Sequence, residues 1–319
     1  MQKIALIRRN GLGDLLCAYP LVLYIRKKYP KSTISLFVDS RNYPLVSYLP
    51  PVEEVIVFPK TGNKYWNFFR TARRYQQRFE VAISMKSSPM KLMNLFLCWL
   101  EADKTIAYVE NNWHGKLVNT PLLYDEKRAK NLHQALKGLH TLAPELKEIP
   151  EELFPSVRLP KRMKGVKMSL PVLLITASTT RNQSRIQVDR YAALVNRLRK
   201  RFSFEVLIMG EPKDKERASQ LGARINGSYQ LYIPENFEEF MRGLDLADFY
   251  FVGDGGVAHI GAALGKSELV LYGECNPIEW HPMSRKVKWL YHPQDVNFLT
   301  DEVIFQALST SYEQAVEKS

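Results

Sequence analysis

The feature that most constrains the fold is a strand, glycine turn and helix pattern that occurs near both ends of the chain. In the first copy, the β-type run 3–8 precedes Gly11-Leu12-Gly13-Asp14 and a helical pattern that ends at Lys28. In the second, the run 249–252 precedes Asp254-Gly255-Gly256 and a helix of small residues. Such a turn lets a ligand approach the backbone and directs free helix N–H groups at an anion such as a diphosphate.

Strand-like and helix-like segments alternate along the chain, which predicts parallel sheets covered by helices. The strand-like runs are 3–8, 33–38, 55–58, 81–84, 105–109, 172–176, 205–209, 231–233, 249–252 and 269–272. The helix-like runs include 64–79, 90–100, 189–201, 213–221, 237–247 and 257–264. The predicted fold class is therefore α/β, with two Rossmann-like doubly wound domains that face a central cleft.

A proline-rich segment predicts the boundary between these domains. Residues 144–171 contain five prolines and the basic run Lys161-Arg162-Met163-Lys164, and they interrupt the alternation. A chain of 319 residues also suits two domains better than one small core. We therefore predict domains at 1–160 and 161–319.

The positive charge is concentrated in the first half of the chain. The net charge is +12, and residues 1–160 carry 24 Lys and Arg against 14 Asp and Glu. The second half is nearly balanced, with 21 against 19. A one-sided basic field attracts anions, which include phosphorylated lipid headgroups, nucleic acid and acidic substrates.

The cysteines and the longest apolar run limit the cellular setting. Cys17, Cys98 and Cys275 are far apart and lack metal-ligand spacing, which favours a reducing cytosolic compartment. The run 92–100 is shorter than the ~20 residues that cross a bilayer. We expect a soluble or peripheral protein, and no metal or cofactor, since no paired-carboxylate DxD pattern occurs.

Three segments resemble glycosyltransferase family 9, the ADP-heptose:lipopolysaccharide heptosyltransferases, which have the GT-B fold. Residues 4–20 resemble the family's N-terminal signature, and Asp254-Gly255-Gly256-Val257-Ala258-His259 resembles its Asp-Thr/Ser-Gly-x-x-His nucleotide motif. Residues 272–282 resemble the Gly, Pro and Trp-x-Pro segment that follows. The resemblance implies an enzyme that moves a heptose or related sugar from a nucleotide-diphosphate donor, ADP-heptose, to a lipopolysaccharide or lipooligosaccharide core acceptor. It implies that domain 1–160 binds the anionic, lipid-linked acceptor and that domain 161–319 binds the nucleotide sugar.

The resemblance implies that Asp14 is the general base. A carboxylate at a helix start can take the proton of an acceptor hydroxyl during transfer. Attack by one activated hydroxyl would invert the anomeric carbon. The alternative is that Asp14 only stabilises the N-terminus of its helix. Gly11 and Gly13, on either side of Leu12, are expected to let the donor approach the turn.

The second glycine turn is the predicted donor site. Asp254, Gly255, Gly256 and His259 would hold the diphosphate and the ribose, with the helix dipole neutralising the leaving group. Gly255 stands where the family has Thr or Ser. The alternative is a tight turn followed by a surface histidine. Glu211, after another strand, is a candidate to bond the nucleoside.

The loop after residue 176 carries the other donor candidates. Thr179 and Thr180 match the family's phosphate-binding Thr/Ser pair, whereas Ser184 stands at the position of its phosphate-binding Lys. Arg181 or Arg185 could supply the missing cation, because a guanidinium binds phosphate through two parallel hydrogen bonds. The alternative is a polar loop without a ligand.

A basic aromatic segment, 64–79, is the candidate acceptor or membrane contact. Arg70, Arg74 and Arg78 have the spacing of one helical stripe. Such a helix could lie on a membrane or bind the phosphates of a lipid acceptor, or it could be an ordinary solvated surface helix. Lys86 and Ser87, after another strand, are also expected to touch the acceptor.

Other functions remain open at this level. The same fold could serve a transferase of another sugar or a nucleotide-sugar epimerase, although an epimerase should carry more acid and base groups than Asp14. A non-catalytic, basic nucleotide-binding or nucleic-acid-binding protein is a further alternative. Nucleic-acid-binding motifs are absent from the sequence, so we expect no nucleic-acid partner. We expect a cytoplasmic enzyme, and peripheral contact with the cytoplasmic face of the inner membrane is left open.

Overall fold

The computed structural model describes residues 2–161, 168–179 and 181–317. The chain divides into two compact units, Met1–Pro155 and Ser156–Ser319, which we call unit 1 and unit 2. The division falls within the proline-rich segment, close to the boundary predicted after residue 160. The described part of this segment includes a short 3-10 helix, Glu151–Leu153.

Unit 1 is a doubly wound parallel sheet. Its strands are β1 (Lys3–Arg8), β2 (Thr33–Val38), β3 (Glu54–Val57), β4 (Val81–Ser84), β5 (Lys104–Val109) and β6 (Thr120–Leu123). Its helices are α1 (Leu12–Lys28), α2 (Tyr43–Val46), α3 (Lys64–Arg74), α4 (Lys91–Leu100), α5 (Glu126–Ala129) and α6 (Gln134–Leu139). The strands pair in the order β3-β2-β1-β4-β5-β6.

Unit 2 repeats this topology. Its strands are β7 (Val172–Thr176), β8 (Glu205–Met209), β9 (Tyr229–Tyr232), β10 (Phe249–Gly253), β11 (Ser267–Tyr272) and β12 (Val287–Tyr291). Its helices are α7 (Val188–Arg199), α8 (Lys215–Gly222), α9 (Phe237–Leu246), α10 (Gly256–Ala263), α11 (Pro277–Trp280) and α12 (Asp301–Val316). The order β12-β11-β10-β7-β8-β9 again puts the first strand of the unit between its second and fourth. The predicted α/β class with two doubly wound domains is confirmed.

Burial explains why these strands are continuous apolar runs. Strands of a parallel sheet are covered on both faces, so alternation between polar and apolar residues is lost. In β1, residues Ile4 to Ile7 are all buried, and Phe249 to Val252 of β10 are buried likewise. Helix α1 is also buried on most sides, which lets an apolar helix with Pro20 in its interior persist against the sheet.

The shared strand order creates one switch point in each unit. Between β1 and β4, and between β7 and β10, the connections leave the sheet in opposite directions. A crevice forms at the carboxyl ends of the strands at such a point, and ligands of open α/β sheets bind there. In unit 1 the loops at this point follow Arg8 and Ser84, and in unit 2 they follow Thr176 and Gly253.

The predicted helical stripe of arginines is only partly correct. Helix α3 ends at Arg74, so Arg70 and Arg74 share it and Arg78 does not. Gln77 adopts a left-handed conformation, with φ of 58°, which is incompatible with a right-handed helix that continues to Arg78. The three arginines therefore do not form one stripe, although Arg74 and Arg78 both lie over the Tyr75 ring, at 5.8 and 5.1 Å.

Glu268 in β11 is a fully buried carboxyl group. Neither of its side-chain oxygens has a hydrogen-bond partner in the described part of the chain. A Cβ at Gly261 in α10 would lie 2.2 Å from Glu268 Oε1, so glycine at that position makes room for the carboxyl group. Burial without a compensating charge raises the pKa of Glu268 well above its ordinary value. The native state therefore keeps the Glu268 proton to higher pH than the unfolded chain does.

This proton makes the stability of the fold depend on pH. The unfolded chain releases the Glu268 proton near its ordinary pKa of 4.5, whereas the folded chain keeps it to higher pH. Stability should therefore be greatest below that value and fall as pH rises toward the raised pKa. We predict that Glu268→Gln reduces the fall in melting temperature between about pH 5 and pH 8. Each pH unit of that fall is worth about 1.4 kcal/mol, or roughly 4 °C.

The measurement is scanning calorimetry across the pH range, with Glu313→Gln as the control. Glu313 is exposed on α12 and should leave the wild-type pH dependence unchanged. An unchanged pH dependence in Glu268→Gln would mean that Glu268 is not protonated in the native state.

Candidate functional site

Asp14 lies in the first turn of α1, at the switch point of unit 1. Its Oδ2 accepts a hydrogen bond from the Gly11 N–H at 3.2 Å. An acidic residue that bonds back to the residue before the helix stabilises the helix start. The helix-stabilising role left open by the sequence is therefore present, and Gly13 lies next to Asp14 in the same turn.

Arg8 holds the other carboxylate oxygen of Asp14. Its Nη2 donates to Asp14 Oδ1 at 2.5 Å, and its Nε donates to the Asp14 backbone oxygen at 3.0 Å. Its Nη1 donates to the Met85 backbone oxygen, after β4, at 3.1 Å. The Arg8 side chain is 4% exposed and that of Asp14 is 25% exposed. The buried cation thus fixes the orientation of a carboxylate that a ligand can reach.

Lys86 and Lys137 add positive charge around Asp14. Lys86 follows β4, and Lys137 lies in the buried helix α6, where its Nζ donates to the Ala129 backbone oxygen at 3.0 Å. Burial lowers the pKa of Lys86, the charges of Arg8 and Lys137 lower it further, and Asp14 opposes this effect. The predicted residue Lys86 therefore shares the electrostatic surroundings of Asp14.

The other predicted acceptor residues make different contacts. Ser87 is buried, and its hydroxyl donates to Gln134 Oε1 in α6. Arg70 and Arg74 are exposed on α3. None of the hydrogen bonds and ring contacts described for these three residues includes Asp14, so their role in binding an acceptor stays a prediction.

A basic depression of about 230 Å³ lies at the carboxyl ends of β2 and β3. Arg9 forms part of its wall, where its Nε donates to Asp39 Oδ1 at 3.0 Å and its guanidinium lies 4.8 Å from the centre of the Phe68 ring. The other basic residues of the wall are Arg41, Lys60 and Lys64. With four basic residues and one acidic partner, this depression suits an anionic group.

In unit 2, Asp254 is the buried centre of the predicted donor site. Its carboxylate accepts from Arg181 Nε at 2.9 Å and from the Cys275 thiol. Burial raises the pKa of Asp254, and the Arg181 charge and the Cys275 hydrogen bond oppose this. The Thr179 hydroxyl donates to the Asp254 backbone oxygen at 3.0 Å. The structure therefore brings three predicted donor residues, Thr179, Arg181 and Asp254, together at the switch point of unit 2.

Arg185 stabilises the same loop from another side. Its Nη2 donates to the Thr179 backbone oxygen at 3.1 Å, and it lies 3.9 Å from Asp214 Oδ1. Its buried Nε has no hydrogen-bond partner in the described residues. The Arg181 side chain is 39% exposed and that of Arg185 is 32% exposed, so Arg181 is slightly the more accessible of the two candidate cations.

Ser184, at the position of the family's Lys, has a structural role instead. It is buried, and its hydroxyl oxygen accepts from the Gly273 N–H at 3.1 Å. A Cβ at Gly273 would lie 2.2 Å from the Gln183 backbone oxygen, and one at Gly253 would lie 2.3 Å from the Ser184 backbone oxygen. Only glycine lets the 3-10 turn Asn182–Ser184 lie this close to the ends of β10 and β11.

The turn before α10 has room where the family carries a hydroxyl. Gly255 has an extended backbone, with φ of 164°, and no heavy atom lies within 4 Å of an added Cβ. Helix α10 begins at Gly256, so its first N–H groups lie directly after this turn. His259 is the fourth residue of α10 and is buried, contrary to the alternative of a surface histidine.

Among the contacts that the structure describes, none joins the further predicted donor residue Glu211 to the predicted donor site. Glu211 is exposed and pairs with Lys213 at 2.8 Å, while its backbone N–H donates to the Ser178 hydroxyl at 2.8 Å. Thr180 lies outside the described residues.

Among the side chains that the structure describes, no group of three or more His, Cys, Asp or Glu could hold a metal ion.

Several residues of these clusters were missed from the sequence. Arg8 is the last residue of a buried strand, six positions before Asp14. This place at the strand end is the sequence feature that could have indicated a contact with Asp14. Cys275 and Lys137 reach their clusters from distant parts of the chain, and no local spacing indicates either contact.

Comparisons with known proteins agree with this fold. Residues 76–297 match the family model of glycosyltransferase family 9 (heptosyltransferase). Lipopolysaccharide heptosyltransferase 2 of Salmonella typhimurium is 22% identical over 317 residues, which cover 90% of this chain and 87% of that protein.

Two solved structures share the fold. The glycosyl transferase family 9 structure from Veillonella parvula has a TM-score of 0.83 and 15% identity, covering 98% of this chain and 97% of that chain. The structure of E. coli ADP-heptose lps heptosyltransferase II has a TM-score of 0.79 and 18% identity, covering 100% of both chains. Together with the two equivalent sheets described above, these likenesses confirm the predicted two-domain α/β fold.

Alanine at Gly273 should lower the stability of unit 2, whereas alanine at Gly255 should leave it unchanged. Gly273→Ala places a methyl group 2.2 Å from the Gln183 backbone oxygen, so the turn or strand must shift. Overpacking of this kind costs about 1–3 kcal/mol, or roughly 3–10 °C in melting temperature. Gly255→Ala is the matched control, because its methyl group enters open space at an extended backbone. Thermal unfolding of both variants tests this, and equal losses would contradict the described fit of the turn.

Proposed function

The chain belongs to glycosyltransferase family 9, and we propose that it moves a heptose from ADP-heptose to a lipopolysaccharide or lipooligosaccharide core acceptor. The main supporting observation is a partly exposed carboxylate, Asp14, held by the buried Arg8 at the switch point of unit 1. Unit 1 would bind the acceptor, and unit 2 would bind the nucleotide sugar. The proposal includes a cytoplasmic location.

The donor assignment is supported by the chemistry of the unit 2 switch point. The N-terminus of α10 offers backbone N–H groups after an open glycine turn, and such helix ends bind phosphates. The family is that of the heptosyltransferases, and the E. coli protein that shares the fold is an ADP-heptose heptosyltransferase. We therefore propose that the diphosphate of ADP-heptose lies at Gly255 and Gly256, with His259 and Thr179 nearby.

Arg181 is the proposed replacement for the family's phosphate-binding Lys. Asp254 holds its Nε, which leaves the outer edge of a partly exposed guanidinium for two hydrogen bonds to phosphate. Arg185 is better suited to support the loop, because it donates to the Thr179 backbone oxygen. Ser184 is excluded from phosphate binding by its burial against Gly273.

The proposed reaction is a single displacement. The acceptor hydroxyl oxygen bonds to the anomeric carbon, its proton passes to Asp14, and the bond from that carbon to the diphosphate oxygen breaks. The configuration at the anomeric carbon is inverted. Arg181 and the N-terminus of α10 stabilise the charge on the departing ADP. Arg8 keeps the Asp14 carboxylate oriented while its charge changes.

The acceptor class is supported by charge. Lys86 lies in the electrostatic surroundings of Asp14, and the basic depression at Arg9 lies at the carboxyl edge of the same sheet. Both suit an acceptor that carries phosphate or carboxylate groups. The name of the Salmonella relative specifies lipopolysaccharide, which is such an acceptor.

Asp14→Asn should separate binding from turnover. Asparagine keeps the shape and can still accept from Arg8, but it cannot take a proton from the acceptor. We expect kcat to fall by about 100- to 10,000-fold, the usual contribution of a general base, with unchanged ADP affinity. Initial rates of sugar transfer and ADP calorimetry are the two measurements. Activity near that of the wild type would remove Asp14 from this role.

Arg181→Gln should weaken nucleotide binding. The loss of a charged hydrogen bond to phosphate costs about 1.5–3 kcal/mol, so we expect a Kd for ADP about 10- to 100-fold higher. Lys213→Gln is the matched control, since Lys213 is an exposed cation that pairs with Glu211 at 2.8 Å. An Arg181→Gln affinity equal to that of the control would assign the phosphate contact elsewhere.

A nucleotide panel tests the donor itself. A ligand that binds the native state raises the melting temperature by mass action, so ADP should stabilise the protein more than UDP, GDP or CMP. A preference for UDP would favour a transferase of another sugar or an epimerase. Stabilisation by none of the four would contradict nucleotide-sugar transfer.

A further inference from the structure

Helices α3 and α4 form an outer face of unit 1 that the proposed chemistry does not use. Their inner residues belong to the core, where Phe68 of α3 and Phe96 of α4 have ring centres 5.4 Å apart. The opposite side of α4 is also apolar, with Leu95, Cys98 and Trp99 partly exposed. A surface helix normally carries polar residues on its outer side, so this side of α4 indicates a contact.

Helix α3 extends this apolar surface with aromatic rings. Trp66 is 56% exposed and stacks on Phe69, with ring centres 5.5 Å apart. The Phe69 and Trp99 rings pack edge to face, with ring centres 5.4 Å apart. These three residues, which we call the aromatic strip, connect the outer sides of α3 and α4.

Basic residues surround the aromatic strip. Arg70, Arg73 and Arg74 are exposed on α3. At the other end of α4, the exposed Lys91 lies 5.0 Å from the ring centre of Trp113, which is itself 59% exposed. The acid Glu101, at the end of α4, is already bonded to Gln77 at 2.8 Å. The surface therefore combines exposed tryptophans with a net positive charge.

We propose that this face binds an anionic lipid bilayer. Tryptophan rings favour the boundary between headgroups and acyl chains, and arginine side chains can lay their stems on apolar surface while their heads meet lipid phosphates. An amphipathic helix of this composition lies in the interface with its apolar side buried by about 5–10 Å. No helix in the described ranges is long and apolar enough to cross a bilayer, so the contact is a surface one.

This inference rests in part on the proposed function, because a lipid-linked acceptor gives the enzyme a reason to work at a membrane. The charge pattern selects a bilayer over a second copy of the chain, since two copies would bring the same arginines together. A second copy remains an outcome that the experiment must distinguish.

The charge part is tested with sedimentation of the full chain with phosphatidylglycerol–phosphatidylcholine vesicles. The variant Arg70→Gln/Arg73→Gln/Arg74→Gln should bind about 100-fold more weakly, because each basic side chain near an anionic surface is worth about fivefold. The control removes three exposed charges from unit 2, Arg285→Gln/Lys286→Gln/Lys288→Gln, and should bind like the wild type. Binding of the wild type should weaken with salt and with vesicles of phosphatidylcholine alone.

The aromatic part is tested with bromine-labelled lipids, which quench nearby tryptophans. The chain has five tryptophans, so paired substitutions identify those that touch lipid. Trp66→Phe/Trp99→Phe should lose most of the quenching, whereas Trp280→Phe/Trp289→Phe should keep it. The single variant Trp66→Phe should lose part of it, and it serves if the pair alters the fold.

Three results would overturn the proposal. They are absence of wild-type binding to anionic vesicles, equal loss in the unit 2 control, and a concentration-dependent dimer that the aromatic substitutions abolish. Vesicle binding requires no sugar donor, so failure of heptose transfer with intact binding would contradict only the proposed function. Transfer to a delipidated, water-soluble acceptor should be unchanged in Trp66→Phe, which alters no candidate acceptor residue.

Discussion

Unit 1 depends most on the hydrogen bonds of the buried Arg8 guanidinium. It joins the end of β1 to the first turn of α1 through Asp14 and to the end of β4 through the Met85 backbone oxygen. A buried cation is costly unless it is paired and hydrogen-bonded, and Arg8 is both. Because β1 and β4 flank the switch point, the Arg8 contacts that join the ends of these two central strands also orient the Asp14 carboxylate.

The two units share one topology, but they expose side chains of opposite charge at their switch points. In unit 1, the cations Arg8, Lys86 and Lys137 surround the partly exposed acid Asp14, an arrangement that suits proton transfer near an anionic ligand. In unit 2, a buried acid, Asp254, holds an accessible cation, Arg181, beside a helix N-terminus, which suits a departing diphosphate. In each pair a buried charge holds a partly exposed one, so the more exposed group is already positioned in the unliganded protein.

Buried parallel strands were predictable because both of their faces are apolar. The predicted bounds of β1, β2, β4, β7 and β8 agree with the structure. The sequence did not indicate β6 and β12, which lie at sheet edges and carry Pro121 and Lys288. The arginine spacing did not indicate that α3 ends at Arg74 or that Gln77, before Arg78, is left-handed. The positions of Asp14 and Asp254 beside helix starts were predictable from their glycine turns, whereas the contacts of Arg8, Ser184 and Cys275 join distant segments.

The fit of Ser184 and Gln183 against Gly253 and Gly273 has a consequence for binding. A turn held this tightly against two strand ends loses its conformational freedom when the chain folds. In the proposed donor site, the neighbouring Arg181 would therefore bind a phosphate without the entropic penalty of ordering a loop. Selectivity at the proposed site should then come from the positions of Arg181, held by Asp254, and of the N-terminus of α10, which together favour anions of matching length.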